Sequence, residues 1–450
     1  MNQLEQITIT VIRKVAPISE AKALMINNFI WLFADKILRM GVGLIVNIQI
    51  TRFLGPAGAG LFDSSIALAG MFYPLVTLGM DSIILRDLIK EPERKAEILG
   101  TALRLRVIAA TCAIFLAMGL AFGLNPNDTD YITMVGIQML TLLCLGFDVP
   151  ELYYQSLTKS KYTVYARNIG FLVAVLWKIY LLYTEANVYW FVTSLTLETL
   201  IGVILAYRFL WKQGINPFQW VFNSKLAKEM VKAGFPLLLN GFAVLVFMKI
   251  DIAMIKQMLG NKEAGIYAAA VRLSEIWYFI PFAMIASVVP TLVKVHGNNM
   301  TSYYLKYQRL FDLLFWFSII MGGILASMSD YIVLLLYKAP FAESAVILKL
   351  HIWSGVFVAI NTASSYHFTY AKAQKIVLAK TVIAAALNVV LNIYLIPIYG
   401  GWGSALATLI SYAVAGHFSS AFFKESRFMF FMFYKSMNPV AAFKRIRMNG

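Results

Sequence analysis

The chain has 450 residues, 60% of them hydrophobic and only 14% charged, where soluble domains carry about 45–50% and about 25%. With a mean hydropathy of +0.71, this composition excludes a water-soluble globule and indicates an integral membrane protein. The formal net charge of +16 has two sources to weigh: the excess of Lys and Arg on cytoplasmic loops and a cationic lumen for an anionic substrate.

The first twenty residues, MNQLEQITITVIRKVAPISE, mix polar and apolar types and lack the compact apolar core of a signal peptide. They are expected to form a cytoplasmic lead-in over 1–23. Length and hydropathy then predict an all-α, polytopic membrane protein of about twelve helices, at 24–52, 58–86, 98–123, 130–156, 162–183, 186–211, 230–259, 264–293, 305–328, 343–371, 375–398 and 402–424. The connections sort by charge. One set carries Lys90, Arg94 and Lys95; Lys159 and Lys161; Lys212, Lys225, Lys228 and Lys232; Lys294 and Lys306; and Lys372 and Lys375. In the alternate set only Lys262 and Lys338 are basic. The bias toward cytoplasmic Lys and Arg therefore places both termini in the cytoplasm. The tail over 425–450, rich in Phe and Met and then basic, is expected either to lie on the anionic inner leaflet or to be a partly ordered cytoplasmic segment.

A repeat divides the chain. LGPAGAGLF at Leu54–Phe62 resembles LGNKEAGIY at Leu259–Tyr267, offset by 205 residues, and each copy lies in the turn after the first span of its half. Six spans per unit preserve orientation, so the halves are expected to be parallel repeats. They run over 24–211 (N-lobe, helices 1–6) and 230–424 (C-lobe, helices 7–12), joined by a basic cytoplasmic linker over 212–229.

Charges inside the spans mark candidate functional positions, because insertion of one at bilayer depth costs at least about 2.5–3.5 kcal/mol. On the first span Lys36, Arg39, Gly43, Asn47 and Thr51 form one helical stripe, with Asp35 placed to pair with Arg39 at i, i+4. Arg52 and Asp63 flank the following turn and are expected to pair there; Asp81 lies near the depth of Lys36. In the hairpin from Phe235 to Leu292, matching depths put Asp251 opposite Arg272, with Lys249 and Glu275 about one turn apart. Asp251 is either a titratable coupling group or the static partner of Arg272. Lys178 and Glu198 are isolated intramembrane charges, and Asn388 and Asn392, at i, i+4, suit interhelical hydrogen bonding.

Several chemistries leave no trace. There is no GxxxxGK phosphate loop, no HExxH and no GxSxG nucleophile elbow. Cys112 and Cys144 fall inside spans without disulfide or metal spacing. No cofactor, no metal and no nucleic-acid partner is expected, and the chain is not read as an enzyme.

The first span with Asn28–Trp31 and Arg52–Gly60 resembles the bacterial O-antigen and polysaccharide flippases, the Wzx-type exporter branch of the multidrug, oligosaccharidyl-lipid and polysaccharide superfamily. So do Pro236 opening the seventh span, Asp251 ahead of LGxxxAGxY, Ile280–Pro281, Val289–Leu292, and Leu387–Tyr412. The resemblance implies two six-helix lobes around a central cavity. It implies a flippase that carries an oligosaccharide on undecaprenyl diphosphate from the cytoplasmic to the periplasmic leaflet of the bacterial inner membrane. The expected substrate-binding residues are Lys36, Arg39, Asn47, Arg52, Lys249 and Arg272, and the expected ion-coupling residues are Asp35, Asp251 and Glu275, taking H⁺ or Na⁺. Partners are the lipid-linked oligosaccharide and, in the same biosynthetic setting, a polymerase and glycosyltransferases, with the transporter itself a monomer. The alternatives are a multidrug or organic-cation exporter of the same superfamily and a membrane-embedded polysaccharide polymerase or ligase.

Overall fold

The computed structural model describes residues 20–159, 161–295, 299–370 and 373–447. In chain order the helices are α1 (Glu20–Met71), α2 (Tyr73–Thr77), α3 (Asp81–Lys90), α4 (Lys95–Leu124), α5 (Thr129–Gly146), α6 (Val149–Ser156), α7 (Lys161–Tyr183) and α8 (Val188–Lys212). The second half continues with α9 (Ser224–Leu259), α10 (Asn261–Ile276), α11 (Phe279–Val295), α12 (Met300–Ser327), α13 (Ser329–Tyr337), α14 (Ser344–His351), α15 (Ser354–Tyr370) and α16 (Gln374–Gly416). Two tail helices follow, α17 (Arg427–Met437) and α18 (Pro439–Arg447). Among the described residues ten segments are long and apolar enough to cross a membrane. Two of them, Leu38–Lys90 with 53 residues and Lys375–Ala421 with 47, are far longer than the roughly 20 residues one crossing needs. Each reverses at a glycine with positive φ, Gly55 at 64° and Gly400 at 60°, a conformation that L side chains resist. Counting each of these two twice gives twelve crossings.

The repeat is visible as a contact. Gly55 (φ 64°, ψ 177°) and Gly260 (φ 90°, ψ −179°), 205 residues apart, break the chain in the same way. The helices that follow cross at their glycines. A Cβ on Gly60 would lie 1.7 Å from the Asn261 carbonyl oxygen, and one on Gly265 would lie 2.0 Å from that of Pro56. Gly60 and Pro56 are the repeat equivalents of Gly265 and Asn261, so the contact is reciprocal and the pseudo-two-fold passes through it. Both backbones touch there only because neither glycine has a side chain. A second glycine pair packs the turn between α2 and α3 against α9: a Cβ on Gly79 would meet the Leu238 nitrogen at 2.4 Å, and one on Gly234 the Leu78 oxygen at 2.5 Å.

Small residues organise the first half, and large apolar ones the second. Ala110, Ala113, Ala117 and Ala121 on α4 form a fully buried stripe at three- and four-residue spacing, in one cluster with Met134, Val135 and Met139 of α5. A separate cluster in the second half joins Ile285, Tyr307, Phe311 and Ile360 to Met429 and Phe433 of the tail. The tail is thus part of the second half's packing. Arg445 reaches the wholly buried Asp312 of α12 through two bonds, Nε to Oδ2 at 2.6 Å and Nη2 to Oδ1 at 2.9 Å, while the Trp316 indole donates to the Ser436 carbonyl at 2.9 Å. Phe431, Tyr434, Val440 and Phe443 stay exposed on its other face.

Candidate functional site

Between the two glycine contacts runs a belt of intramembrane charges. It has two parts of different chemistry.

The first part surrounds α1, α7 and α8. The Arg39 guanidinium on α1 pairs with Glu198 of α8, lies 3.4 Å from the Asn168 amide oxygen of α7, and sits 4.7 Å over the ring of Phe171. Arg272 comes from α10 in the other half. It donates to the Thr51 hydroxyl at 2.9 Å and pairs with the buried Asp63 carboxylate. Lys178 of α7, half-buried, lies within electrostatic reach of Glu198 and Arg272 and has no ion pair among the described residues. Three cations thus face two carboxylates here, and Lys178 is the cation without a partner of its own.

The second part surrounds α9 and α16. Asp251 is 5% exposed and makes no ion pair among the described residues; neutral groups satisfy it. The Tyr267 hydroxyl donates at 2.9 Å, the Asn392 amide at 2.7 Å, and the Thr408 hydroxyl also donates. Asn392 is held in turn by its amide bond to the Asn388 oxygen at 3.1 Å. Among the described residues the Asn392 side-chain oxygen is buried without a hydrogen bond, and the buried Ser404 hydroxyl lies beside that of Tyr267. A buried carboxylate without an ion pair beside further oxygens suits either a bound proton or a small hard cation, which prefers oxygen ligands. Lys249 and Glu275 are half-buried, without hydrogen bonds among the described residues, and Glu275 feels the charges of Lys249, Arg272 and Asp251. Here two carboxylates face one cation.

Several pairings expected from depth alone are replaced. Asp251 does not pair with Arg272; helix rotation points it toward α16, a direction that depth matching cannot supply. Asp63 pairs with Arg272 instead of Arg52, which is half-buried with no ion pair among the described residues. Asp81 engages the buried Arg106 rather than Lys36. Arg39 takes Glu198 as its partner; the side chains of Asp35 and Lys36 lie outside the described residues. Asn47 is half-buried on α1. Lys256 closes a separate bridge between the halves: its ammonium contacts Asn125 and Asp128 at 2.9 Å each, 3.9 Å from the ring centre of Tyr131. The residues that single-helix reasoning undervalued are Lys178, Glu198 and Thr408. Their signal in the sequence was one isolated charge each, or a Ser404–Thr408 spacing that many packed helices share.

A model of the family described as "Polysaccharide biosynthesis protein" matches residues 25–296, more than half of the chain. The chain belongs to this family. No curated protein sequence matches it. Among solved structures, the lipid II flippase MurJ in an inward closed conformation superposes with a TM-score of 0.72 at 15% identity, over 91% of this chain and 91% of that one. An inward-facing multidrug resistance MATE transporter of the MOP superfamily gives 0.70 at 14% identity, over 91% and 96%. A MOP superfamily transporter from Pyrococcus furiosus, described by the reverse polarity of its binding pocket, gives 0.61 at 14% identity, over 93% and 96%. At these identities the likeness shows the fold. This polysaccharide biosynthesis protein is an all-helical, polytopic membrane protein with the fold of the MOP superfamily, as the resemblance implied.

Proposed function

We propose that this polysaccharide biosynthesis protein is a flippase that carries an oligosaccharide linked to undecaprenyl diphosphate from the cytoplasmic to the periplasmic leaflet of a bacterial inner membrane. The observation that carries this reading is Lys178, half-buried and without an ion pair among the described residues, beside the Arg39–Glu198 and Arg272–Asp63 pairs. A diphosphate would be attracted by the uncompensated charge and could take guanidinium donors bidentately from their carboxylates. The sugar crosses in the cavity while the polyprenyl chain stays in lipid. Lys249, Asn47, Arg52 and, on the same helix as Arg39, Lys36 extend the binding surface toward the sugar. Asp251 is the coupling site, with Asn392, Ser404 and Thr408 as neighbours for H⁺ or Na⁺; Glu275 and Asp35 are its accessory acids. Transport proceeds by rocking one half against the other. The glycine contacts and the Lys256 and Arg272 bridges between the halves then open and reform.

Reconstitution in liposomes tests this. A fluorescent lipid-linked oligosaccharide should become accessible on the far leaflet when an H⁺ or Na⁺ gradient is imposed, and Lys178→Gln should slow it. No translocation under either gradient in either orientation would overturn the reading. Gradient-driven efflux of an organic cation such as ethidium, in its place, would move the protein to the drug-exporter alternative, which wants an acidic cavity.

A further inference from the structure

At the end of α9 opposite to Gly260 the helix carries a second arrangement of charge, outside the belt. Lys225, Lys228, Lys232 and Phe235 follow each other at spacings of three, four and three residues and so share one face. Glu229, the nearest acid on the helix, lies four residues after Lys225 and three before Lys232, on the flank of that face, and makes no ion pair with either among the described residues. Lys228, Val231, Lys232 and Phe235 form one wall of a shallow groove of about 570 Å³, with Leu105 of α4 and Phe222 of the linker opposite. Arg104, one residue before Leu105, lays its guanidinium 5.5 Å from the ring centre of Phe222. Among the described residues, none of Arg104, Lys225, Lys228 and Lys232 has an ion pair, and all four are exposed. The neighbouring Glu97 is already engaged by Arg94 and by the Asn223 amide.

We infer that this groove binds an anionic phospholipid of the adjacent leaflet, the headgroup on Lys228, Lys232 and Arg104 and the upper acyl chain against Leu105, Val231 and Phe235. Three features choose this occupant. The four cations are grouped, outnumber the single flanking acid Glu229 and make no ion pair among the described residues, which selects negative charge. The wall between and below them is apolar and open sideways, which selects a molecule already in the bilayer over a soluble phosphate. From Ser224 to Phe235 the helix drops about 16 Å, the distance over which a lipid passes from headgroup into acyl chain. The site also lies across a joint, since α4 belongs to the first half of the chain and α9 to the second, beside the Gly79–Gly234 contact. A lipid there would touch both halves. The inference needs only that the chain sits in a membrane and does not depend on what it transports.

Native mass spectrometry of the full-length protein, titrated with phosphatidylglycerol or phosphatidylcholine in neutral detergent, tests it. Wild type should retain phosphatidylglycerol in preference to phosphatidylcholine. Lys228→Gln/Lys232→Gln should weaken that retention by about 30-fold, from the contribution of each lysine near a charged lipid surface. Lys159→Gln/Lys161→Gln, at an exposed basic site elsewhere, should leave it unchanged. Equal retention of the two lipids by wild type, or equal phosphatidylglycerol retention by wild type and Lys228→Gln/Lys232→Gln, would overturn the inference. So would an equal loss in Lys159→Gln/Lys161→Gln, which would mean diffuse attraction. The readout is lipid binding, so a failed transport assay leaves it intact.

Discussion

Arg39 and Asp251 are both ionisable groups within the bundle, yet their surroundings differ in kind. Arg39 is met by a full opposite charge, the Glu198 carboxylate, and by an aromatic face. Asp251, more deeply buried, is met only by hydroxyls and amides. An ion pair settles a buried charge within the protein, whereas neutral donors orient a carboxylate and leave its charge to be balanced from outside. The belt is therefore polarised. The part around α7 and α8 has a cation to spare and suits an anion; the part around α16 has a carboxylate to spare and suits a proton or cation. The two parts adjoin through Arg272 and Glu275, so an ion in one is within electrostatic reach of a ligand in the other.

Substitutions can break this contrast or sharpen it. Asp251→Asn keeps the shape and removes the charge; its amide oxygen can still accept from Asn392, while its NH2 would donate to the Tyr267 and Thr408 hydroxyl oxygens, which then turn from donors into acceptors. Gradient-driven flipping in liposomes is expected to fall by about 100-fold, at the upper end of coupling energies between sites, with the melting temperature of the purified protein little changed. A variant that still responds fully to the gradient would remove Asp251 from coupling. Glu198→Gln leaves Arg39 without its counter-charge, and chemical denaturation should show a loss of about 2 kcal/mol; unchanged stability would mean that Arg39 is solvated and the pair adds nothing. Lys178→Gln spares both ion pairs. It is expected to raise the apparent KM for the lipid-linked substrate about tenfold, the scale of one charged hydrogen bond, while the dependence on the gradient persists. A loss of coupling with unchanged KM would reverse the assignment of the two parts.

The smallest expected effect lies away from the belt. Lys338, at φ 69° and ψ −178°, occupies a region that Gly55 and Gly260 also occupy but that side chains resist. Lys338→Gly should raise stability by about 1 kcal/mol, read from the denaturation midpoint. A drop would mean that the Lys338 side chain has a role of its own in that turn.

Much of the architecture was legible because it follows from local physics. A run of some twenty apolar residues must span, and a glycine after a long apolar run allows the turn. A motif repeated at an offset of 205 residues announced two halves, and the Gly60–Gly265 contact is that repeat meeting itself. The positions of the intramembrane charges were equally plain, Lys178 and Glu198 among them. Their partners were not. Depth along one helix says how far a side chain sits from the surface and nothing about which neighbour it faces, so depth sets Asp251 opposite Arg272, whereas its donors are Asn392 and Thr408 of α16 and Tyr267 of α10.

The amino-acid sequence alone determined that this chain lives in a membrane, about how often it crosses, that it is built twice, and which residues carry charge into the bilayer. Those follow from hydropathy and covalent order. Only the tertiary structure decided which charges cancel and which remain: Arg39 with Glu198 and Arg272 with Asp63, while Lys178, Arg52, Lys249, Asp251 and Glu275 make no ion pair among the described residues. The reason is geometric, because an ion pair needs two side chains to meet within a few ångströms, and here they come from helices 159 and 209 residues apart in the chain.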